Sequence, residues 1–488
     1  MFFISSILGF ICQMLYGKYY GTGGDMDIYY SLNSIPNIVT GVIPSVFSSL
    51  LIPLFPQYED RGQLGGLMMT LHRKVVLFSL FLIFAVGLLC FAQAFSIASD
   101  SLLSAVVMCA ILLIAAFLSI INGFYISYVN YKKKFVQVSM TSLMTYTSII
   151  VMVVLFHNYF GVTAIAVGLL MGAFLRFVTM RNIMSLPSEG IEININYREV
   201  LIRILMIFVT LLPFSAFPAI AYLWAGRMEE GAVSYLGYSH SFEGVLSVAG
   251  SMGVATVSFP DLAKALNTTD KHKIKSTLYE FMSTLKAVFF IASIIVSFCC
   301  VFSMQVSSVL LERGEFVRDD VVRLSCVLPF YLVGGGVIAL LNLIRNVFYS
   351  LKSVEKFSII SITVTITFLL FALLVGDKFS YIGVGATECT LWIVFLILSI
   401  MSLVYQVGNF VTLTDLVDCI KYIVVPLFVA FCTNVVYEYT LSSLSLFYSI
   451  LICGVTHVAV AIVLLYAVKA KEAKILVEKI HKGLGRNN

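Results

Sequence analysis

Apolar residues along the chain gather into about fourteen stretches, each near the roughly 20 residues that a helix needs to cross a bilayer core about 30 Å thick. They fall at 3–20, 31–54, 75–97, 101–126, 137–157, 159–180, 200–225, 231–258, 284–310, 323–350, 357–376, 380–406, 416–437 and 443–468. Each predicts a helix, because a segment in hydrocarbon must satisfy its backbone polar groups within itself. The expected fold class is an all-α polytopic membrane protein.

The gaps between stretches alternate in charge. Those after even-numbered spans hold Arg61, Arg73 and Lys74; Lys132, Lys133 and Lys134; Arg176, Arg181, Arg198 and Arg203; Lys264, Lys271, Lys273, Lys275 and Lys286; Arg345, Lys352 and Lys356; and Lys421. The C-terminal tail adds Lys469, Lys471, Lys474, Lys479, Lys482 and Arg486, whereas the other gaps hold only Lys18, Arg227, Arg313, Arg318, Arg323 and Lys378. Basic residues in short loops resist translocation, so both termini are expected in the cytoplasm. Composition agrees: 60% hydrophobic and 12% charged residues leave too little polar surface to clothe a soluble globule of 488 residues. The net charge of +5 then reflects attraction to anionic membrane lipids and not nucleic-acid binding.

Met1 runs straight into an apolar segment with no basic leader, which predicts an uncleaved first span. The 10 cysteines lie almost wholly inside spans with no CxxC pair and read as small apolar packers, with no metal site expected. The longest breaks, 56–74, 181–199 and 260–283, leave no room for a soluble domain; the first and third read as surface helices or turns. No GxxxxGK[ST] occurs. Any work on a substrate would draw on an ion gradient, the membrane potential or substrate supply, with no cofactor.

A repeat emerges from the span ends. Pro53-Leu54-Phe55-Pro56 closes span 2 as Ser258-Phe259-Pro260 closes span 8, and Phe124-Tyr125 with Lys134-Phe135 parallels Phe348-Tyr349 with Lys356-Phe357. The expected organisation is an N-lobe over 1–180, a linker over 181–199, a C-lobe over 200–406, an added helix pair over 407–470 and a basic tail over 471–488. Duplicated bundles suit alternating access; chance matching in apolar sequence is the alternative.

Leu8-Gly9-Phe10, Tyr20-Gly21-Thr22-Gly23, Asp27-Ile28-Tyr29-Tyr30 and Ile35-Pro36-Asn37 resemble the first two helices of the MviN/MurJ flippase family, part of the multidrug/oligosaccharidyl-lipid/polysaccharide exporter superfamily. Leu311-Glu312-Arg313-Gly314-Glu315-Phe316 and Phe348-Tyr349-Ser350 resemble its second half. The resemblance implies a V-shaped pair of six-helix lobes, with the added helices forming a groove for an undecaprenyl tail. It also implies arginines lining a pyrophosphate cavity. Here those positions hold Cys12-Gln13, Lys18, Thr40 or Gly41, and a residue at or beside His240. Arg grips phosphate bidentately and Lys only as a point charge, so most of the expected cradle is missing.

Ionisable residues inside spans are functional candidates by default. His240 and Glu243, three apart on one helical face, read either as a proton-handling, substrate-facing pair or as a buried hydrogen-bonded brace. Glu388 reads as a cation site or as a tie to a neighbouring helix. Lys18 and Asp27 flank the glycine-rich exit from span 1, where they would grip substrate at the outer mouth or pair with each other. Arg345 would meet an entering pyrophosphate or snorkel to headgroups. His457 reads as a core histidine, and Asn33, Asn122 and Asn342 as interhelical bonders or sugar contacts.

Three functions stay open. The first is a flippase in the bacterial inner membrane for an undecaprenyl-pyrophosphate-linked glycan of O-antigen, capsule or exopolysaccharide type, working with membrane lipids and envelope-assembly proteins, with lipid II of peptidoglycan synthesis as the alternative substrate. The second is a cation-coupled small-molecule antiporter of the same superfamily. The third, a membrane glycosyltransferase, ranks lowest because the gaps are short and offer no carboxylate pair.

Overall fold

The structure, a computed structural model, describes residues 2–52, 54–97, 102–184, 197–266, 270–440, 444–468, 470 and 472. Among these the elements are α1 (Phe2–Tyr20), α2 (Gly24–Leu51), α3 (Phe55–Glu59), α4 (Leu64–Ile97), α5 (Leu102–Tyr131), α6 (Phe135–Phe160), α7 (Thr163–Met184), α8 (Tyr197–Ala225), α9 (Ala232–Leu266), α10 (Lys271–Val301), α11 (Ser303–Leu311), α12 (Arg318–Ser350), α13 (Val354–Val375), a single 3-10 turn (Gly376–Lys378), α14 (Tyr381–Val407), α15 (Leu413–Thr440) and α16 (Leu446–Ala467).

Every expected span is met by a helix, with the ninth shared between α10 and α11. Among the described residues, 12 helices are long and apolar enough to cross a membrane. α1 and α9, of 19 and 35 residues, carry the remaining two expected spans. The chain is a multi-pass membrane protein.

The helices outrun their apolar stretches. α4 begins at Leu64, α9 runs to Leu266 and α10 starts at Lys271, so the expected breaks at 56–74 and 260–283 are largely helical extensions. Hydropathy marks where lipid is tolerated, whereas a helix continues until a cap or a breaker stops it. One such cap is the Asp270 carboxylate, which accepts from the His272 amide at 2.9 Å and opens α10. Arg73 and Lys74, in the gap before 75–97, therefore lie within α4; Lys286 and Arg345, counted with the gaps by charge but inside the stretches 284–310 and 323–350, lie within α10 and α12. Pro36, Pro44, Pro213, Pro218, Pro329 and Pro426 also sit inside helices; Pro53 and most of the 181–199 linker fall outside the described residues.

The chain divides into two compact units: Met1–Tyr238 with Arg313–Val317 and Ser361–Val384, and Ser239–Glu312 with Arg318–Ile360 and Gly385–Asn488. In the first, α2 packs on α5 and α8, and α7 on α5 and α6. Small residues allow these approaches. A Cβ on Gly168 would stand 2.7 Å from the Ile149 Cα, and one on Gly172 2.6 Å from the Thr145 Cα, which presses α7 onto α6. Asn122 of α5 donates to the Ala173 carbonyl of α7 at 3.0 Å, the interhelical role its residue type suggests.

In the second unit, α10, α15 and α16 share a core of Phe290, Ile294, Tyr422, Val429, Ala461 and Leu465. His457 is fully buried, with Nε2 3.0 Å from the Ile294 carbonyl and 3.3 Å from the Ser297 hydroxyl. It is a core tie between α16 and α10, as expected. Beside that core, Lys286 of α10 meets Asp415 at 2.8 Å and Asp418 at 3.3 Å on α15, and Glu472 beyond α16 at 3.6 Å. Asp415 also closes a capping box at the start of α15, accepting from the Thr412 amide at 2.9 Å while its own amide donates to the Thr412 hydroxyl at 3.3 Å.

Candidate functional site

The second unit gathers ionisable groups from three helices. His240 and Glu243 lie on α9, Tyr331 on α12 and Glu388 on α14. The imidazole Nε2 is 3.0 Å from Glu388 Oε1 and 3.9 Å from Glu243 Oε2. The Tyr331 hydroxyl donates to Glu388 Oε2 at 3.0 Å, and its ring lies 4.5 Å from the imidazole. Glu388 is 1% exposed and Glu243 6%. Room for Glu243 comes from two glycines on α12: a Cβ at Gly334 would stand 2.5 Å from Glu243 Oε1, and one at Gly335 2.7 Å from the Glu243 carbonyl.

Chemistry follows from this crowding. Two carboxyl groups crowd one imidazole in a largely buried site, where a net charge left uncompensated is costly. Glu243 Oε1 has no hydrogen-bond partner, and one ligand atom each from His240, Glu243 and Glu388 lies within 4.8 Å of the others. The set brings together ligand atoms that could hold a proton or a small cation. Sequence spacing pairs His240 with Glu243, whereas the structure gives Glu388 the shorter contact. Those two are 148 residues apart, and no local periodicity connects them.

The other candidates lie elsewhere. Asp27 is consumed at the start of α9, where its carboxylate accepts from the Gly231 amide at 2.7 Å, the Ser234 amide at 2.7 Å and the Ser234 hydroxyl at 2.6 Å. That is an N-terminal cap supplied from a distant helix. Lys18 is exposed, and among the described residues it makes no ion pair with Asp27, so the expected loop salt bridge is absent. The Lys18 backbone instead joins the two motif segments. Its carbonyl accepts from the Glu315 amide at 3.0 Å, Gly314 (φ +62°) fits against that carbonyl, Gly21 (φ +62°) fits against the Glu315 carbonyl, and Tyr238 donates to the Gly21 carbonyl at 2.8 Å. Arg345 lies 14 residues beyond Tyr331 on α12, about 21 Å along the helix axis, out of reach of the His240 cluster.

One basic residue counted with a gap by charge, though it falls inside the stretch 159–180, lines a cavity. Arg176 lies inside α7, four residues after Gly172 and eight after Gly168, so all three share one face. The close α6–α7 contact aligns its Nη2 with the Ser142 hydroxyl at 3.3 Å. The cavity, about 120 Å³, is bounded by Asn33, Asn37 and Thr40 of α2, Ser119 of α5, Thr145 of α6 and Arg176. The Arg176 Nε is buried without a hydrogen-bond partner.

Residues 17–454 match the sequence family described as "Lipid II flippase MurJ". The chain belongs to the MurJ family. A "Probable lipid II flippase MurJ" of Buchnera aphidicola subsp. Baizongia pistaciae (strain Bp) is 24% identical over 415 residues, covering 81% of this chain and 80% of that protein. Another so described, from Borreliella burgdorferi (strain ATCC 35210 / DSM 4680 / CIP 102532 / B31), is 21% identical over 389 residues, covering 75% of each. Among solved structures, a MurJ in an inward closed conformation superposes with a TM-score of 0.77 at 18% identity, covering 96% of this chain and 98% of that one. An inward-facing multidrug resistance MATE family transporter of the MOP superfamily gives 0.63 at 14% identity, covering 83% and 95%. The fold is that of MurJ and its superfamily, and membership makes the chain a transporter and not an enzyme.

Proposed function

We propose that the chain is a lipid II flippase, turning a peptidoglycan precursor across the cytoplasmic membrane by alternating access. The observation that carries this reading is the MurJ family match over residues 17–454, which takes in both motif segments and the His240 cluster. It displaces the surface-polysaccharide substrate expected from the missing arginines. A missing arginine removes one route to a cation, and another helix can supply a replacement. Apolar cavities of about 650 Å³ between α10 and α16 and about 590 Å³ between α15 and α16 support a resting place for a polyprenyl tail.

In this reading His240, Glu243 and Glu388 take up and release a cation as the transporter cycles, because two carboxyl groups and an imidazole meet in a largely buried site. The basic gaps put both termini in the cytoplasm.

Complementation tests the substrate. In a strain depleted of its own lipid II flippase the chain should restore growth, and in a strain lacking only its O-antigen flippase it should leave surface polysaccharide unrestored. The reverse pattern would overturn the proposal. For the coupling site, Glu243→Gln should still insert and accumulate but fail to support growth; normal growth would remove the cluster from the mechanism.

A further inference from the structure

We propose that the α2–α5–α6–α7 cavity is an oxyanion site in which Arg176 grips a phosphoryl group. This rests on the flippase reading for the identity of its ligand, but the site itself is argued from its own geometry. The guanidinium sits within a membrane-spanning helix, and among the described residues it has no carboxylate partner; its contact is the neutral Ser142 hydroxyl. A guanidinium keeps its charge under all conditions, and a charge out of water needs a counter-ion or a full set of hydrogen bonds. The buried Nε has neither.

What surrounds Arg176 suits an anion. The polar wall contains Asn33, Asn37 and Thr145, whose amides and hydroxyl can donate without adding negative charge, Asn33 keeping one N–H beyond its bond to Tyr29; Thr40 lines the wall too with its hydroxyl turned to Asn37, and no acidic residue lines it. The Asn37 oxygen is engaged by Thr40 at 3.4 Å, which leaves the Asn37 NH2 free to donate. Asn33, Asn37 and Thr40 are spaced four and three apart, so one face of α2 presents all three. A planar fork with neutral donors opposite is the arrangement that holds phosphoryl oxygens. About 120 Å³ far exceeds the roughly 10–15 Å³ that a single water requires, so a hydrated phosphoryl group has room. The family resemblance implies an arginine at Thr40 or Gly41, so Arg176 supplies from α7 a charge that this part of α2 lacks.

Phosphoryl groups reach this membrane from two sources, a diphosphate-linked substrate and anionic phospholipid. The test is binding by the purified full-length protein to three probes: lipid II, undecaprenyl diphosphate without sugars, and phosphatidylglycerol. Arg176→Met should weaken binding of both diphosphates at least tenfold, with Arg176→Lys in between and phosphatidylglycerol unaffected. Loss of phosphatidylglycerol binding alone would support the oxyanion site with a phospholipid as its occupant. Unchanged binding of all three would overturn the site. Because Arg176→Met also removes packing, Asn37→Asp is the second variant: it places an internal carboxylate beside the guanidinium from an exposed wall position and should weaken the same probes without loss of folded protein. If neither variant alters binding, the proposal fails. A wild-type protein that binds undecaprenyl diphosphate through Arg176 but not lipid II would retire the peptidoglycan reading and leave the site standing.

Discussion

Removing the Lys286 ammonium should destabilise the second unit more than any ordinary surface change. Lys286, Asp415, Asp418 and Glu472 are each less than 10% exposed, and Lys286 lies 2.8, 3.3 and 3.6 Å from the three carboxylates. At such separations a single pair is worth about 5–6 kcal/mol of attraction in an effective dielectric near 20, most of it offset by desolvation. Deleting one partner leaves the offset uncompensated. Breaking a buried pair in this way costs about 3–5 kcal/mol. Lys421, 3.3 Å from Asp418 but 29% exposed, covers only part of the stranded charge. At about 2 °C per kcal/mol, suited to a large domain, Lys286→Met should lower the detergent-solubilised melting temperature by about 6–10 °C. Fluorescence-detected size-exclusion chromatography after stepwise heating measures this. Lys286→Arg should stay close to the parent, and adding Glu472→Gln to Lys286→Met should recover part of the loss. A Lys286→Met protein melting within about 1 °C of the parent would refute the reasoning, since a buried cation balanced against three carboxylates cannot be silent.

Two further outcomes follow from particular geometry. At Gly314 a Cβ would stand 2.1 Å from the Lys18 carbonyl at φ +62°, so Gly314→Ala should cost about 1–2 kcal/mol of backbone strain plus about 1 kcal/mol for the displaced Glu315–Lys18 hydrogen bond. Gly62→Ala, at φ +66° with open space around it, should show the strain alone in the same melting assay; equal losses at both would show that the clasp carries no weight. Burial pushes the Glu472 carboxyl above its ordinary value of 4.5, with Lys286 opposing it. The folded state therefore binds this proton more tightly than the unfolded one, so its contribution is greatest in acid and falls as pH rises from about 4.5 through the raised value. Hydrogen exchange at Ala470, whose amide donates to the Leu465 carbonyl at 3.0 Å, should quicken over that window. Glu472→Gln should flatten the dependence, and an unaltered slope would exclude Glu472 as its origin.

The sequence by itself determined the helical membrane class and the family, because each is written in local or ordered features: apolar stretches of fixed length, and the Tyr20–Asp27 and Leu311–Phe316 segments. It also carries the Thr412–Asp415 spacing that caps α15. What it misplaced were charges. Arg176, Lys286 and Arg345 count with the gaps by charge although they fall inside the apolar stretches 159–180, 284–310 and 323–350, because an α-helix accepts a buried cation wherever the neighbouring helices supply partners or polar space. Only the tertiary structure decided that Glu388 closes on His240 across 148 residues, that Asp27 spends its carboxylate on the start of α9, and that the glycine stripe of α7 brings Arg176 to a polar cavity. Helical periodicity fixes which residues share a face; which faces meet depends on the packing of the whole chain, where small residues at Gly168, Gly172, Gly334 and Gly335 set how closely two helices, and the charges they carry, can approach.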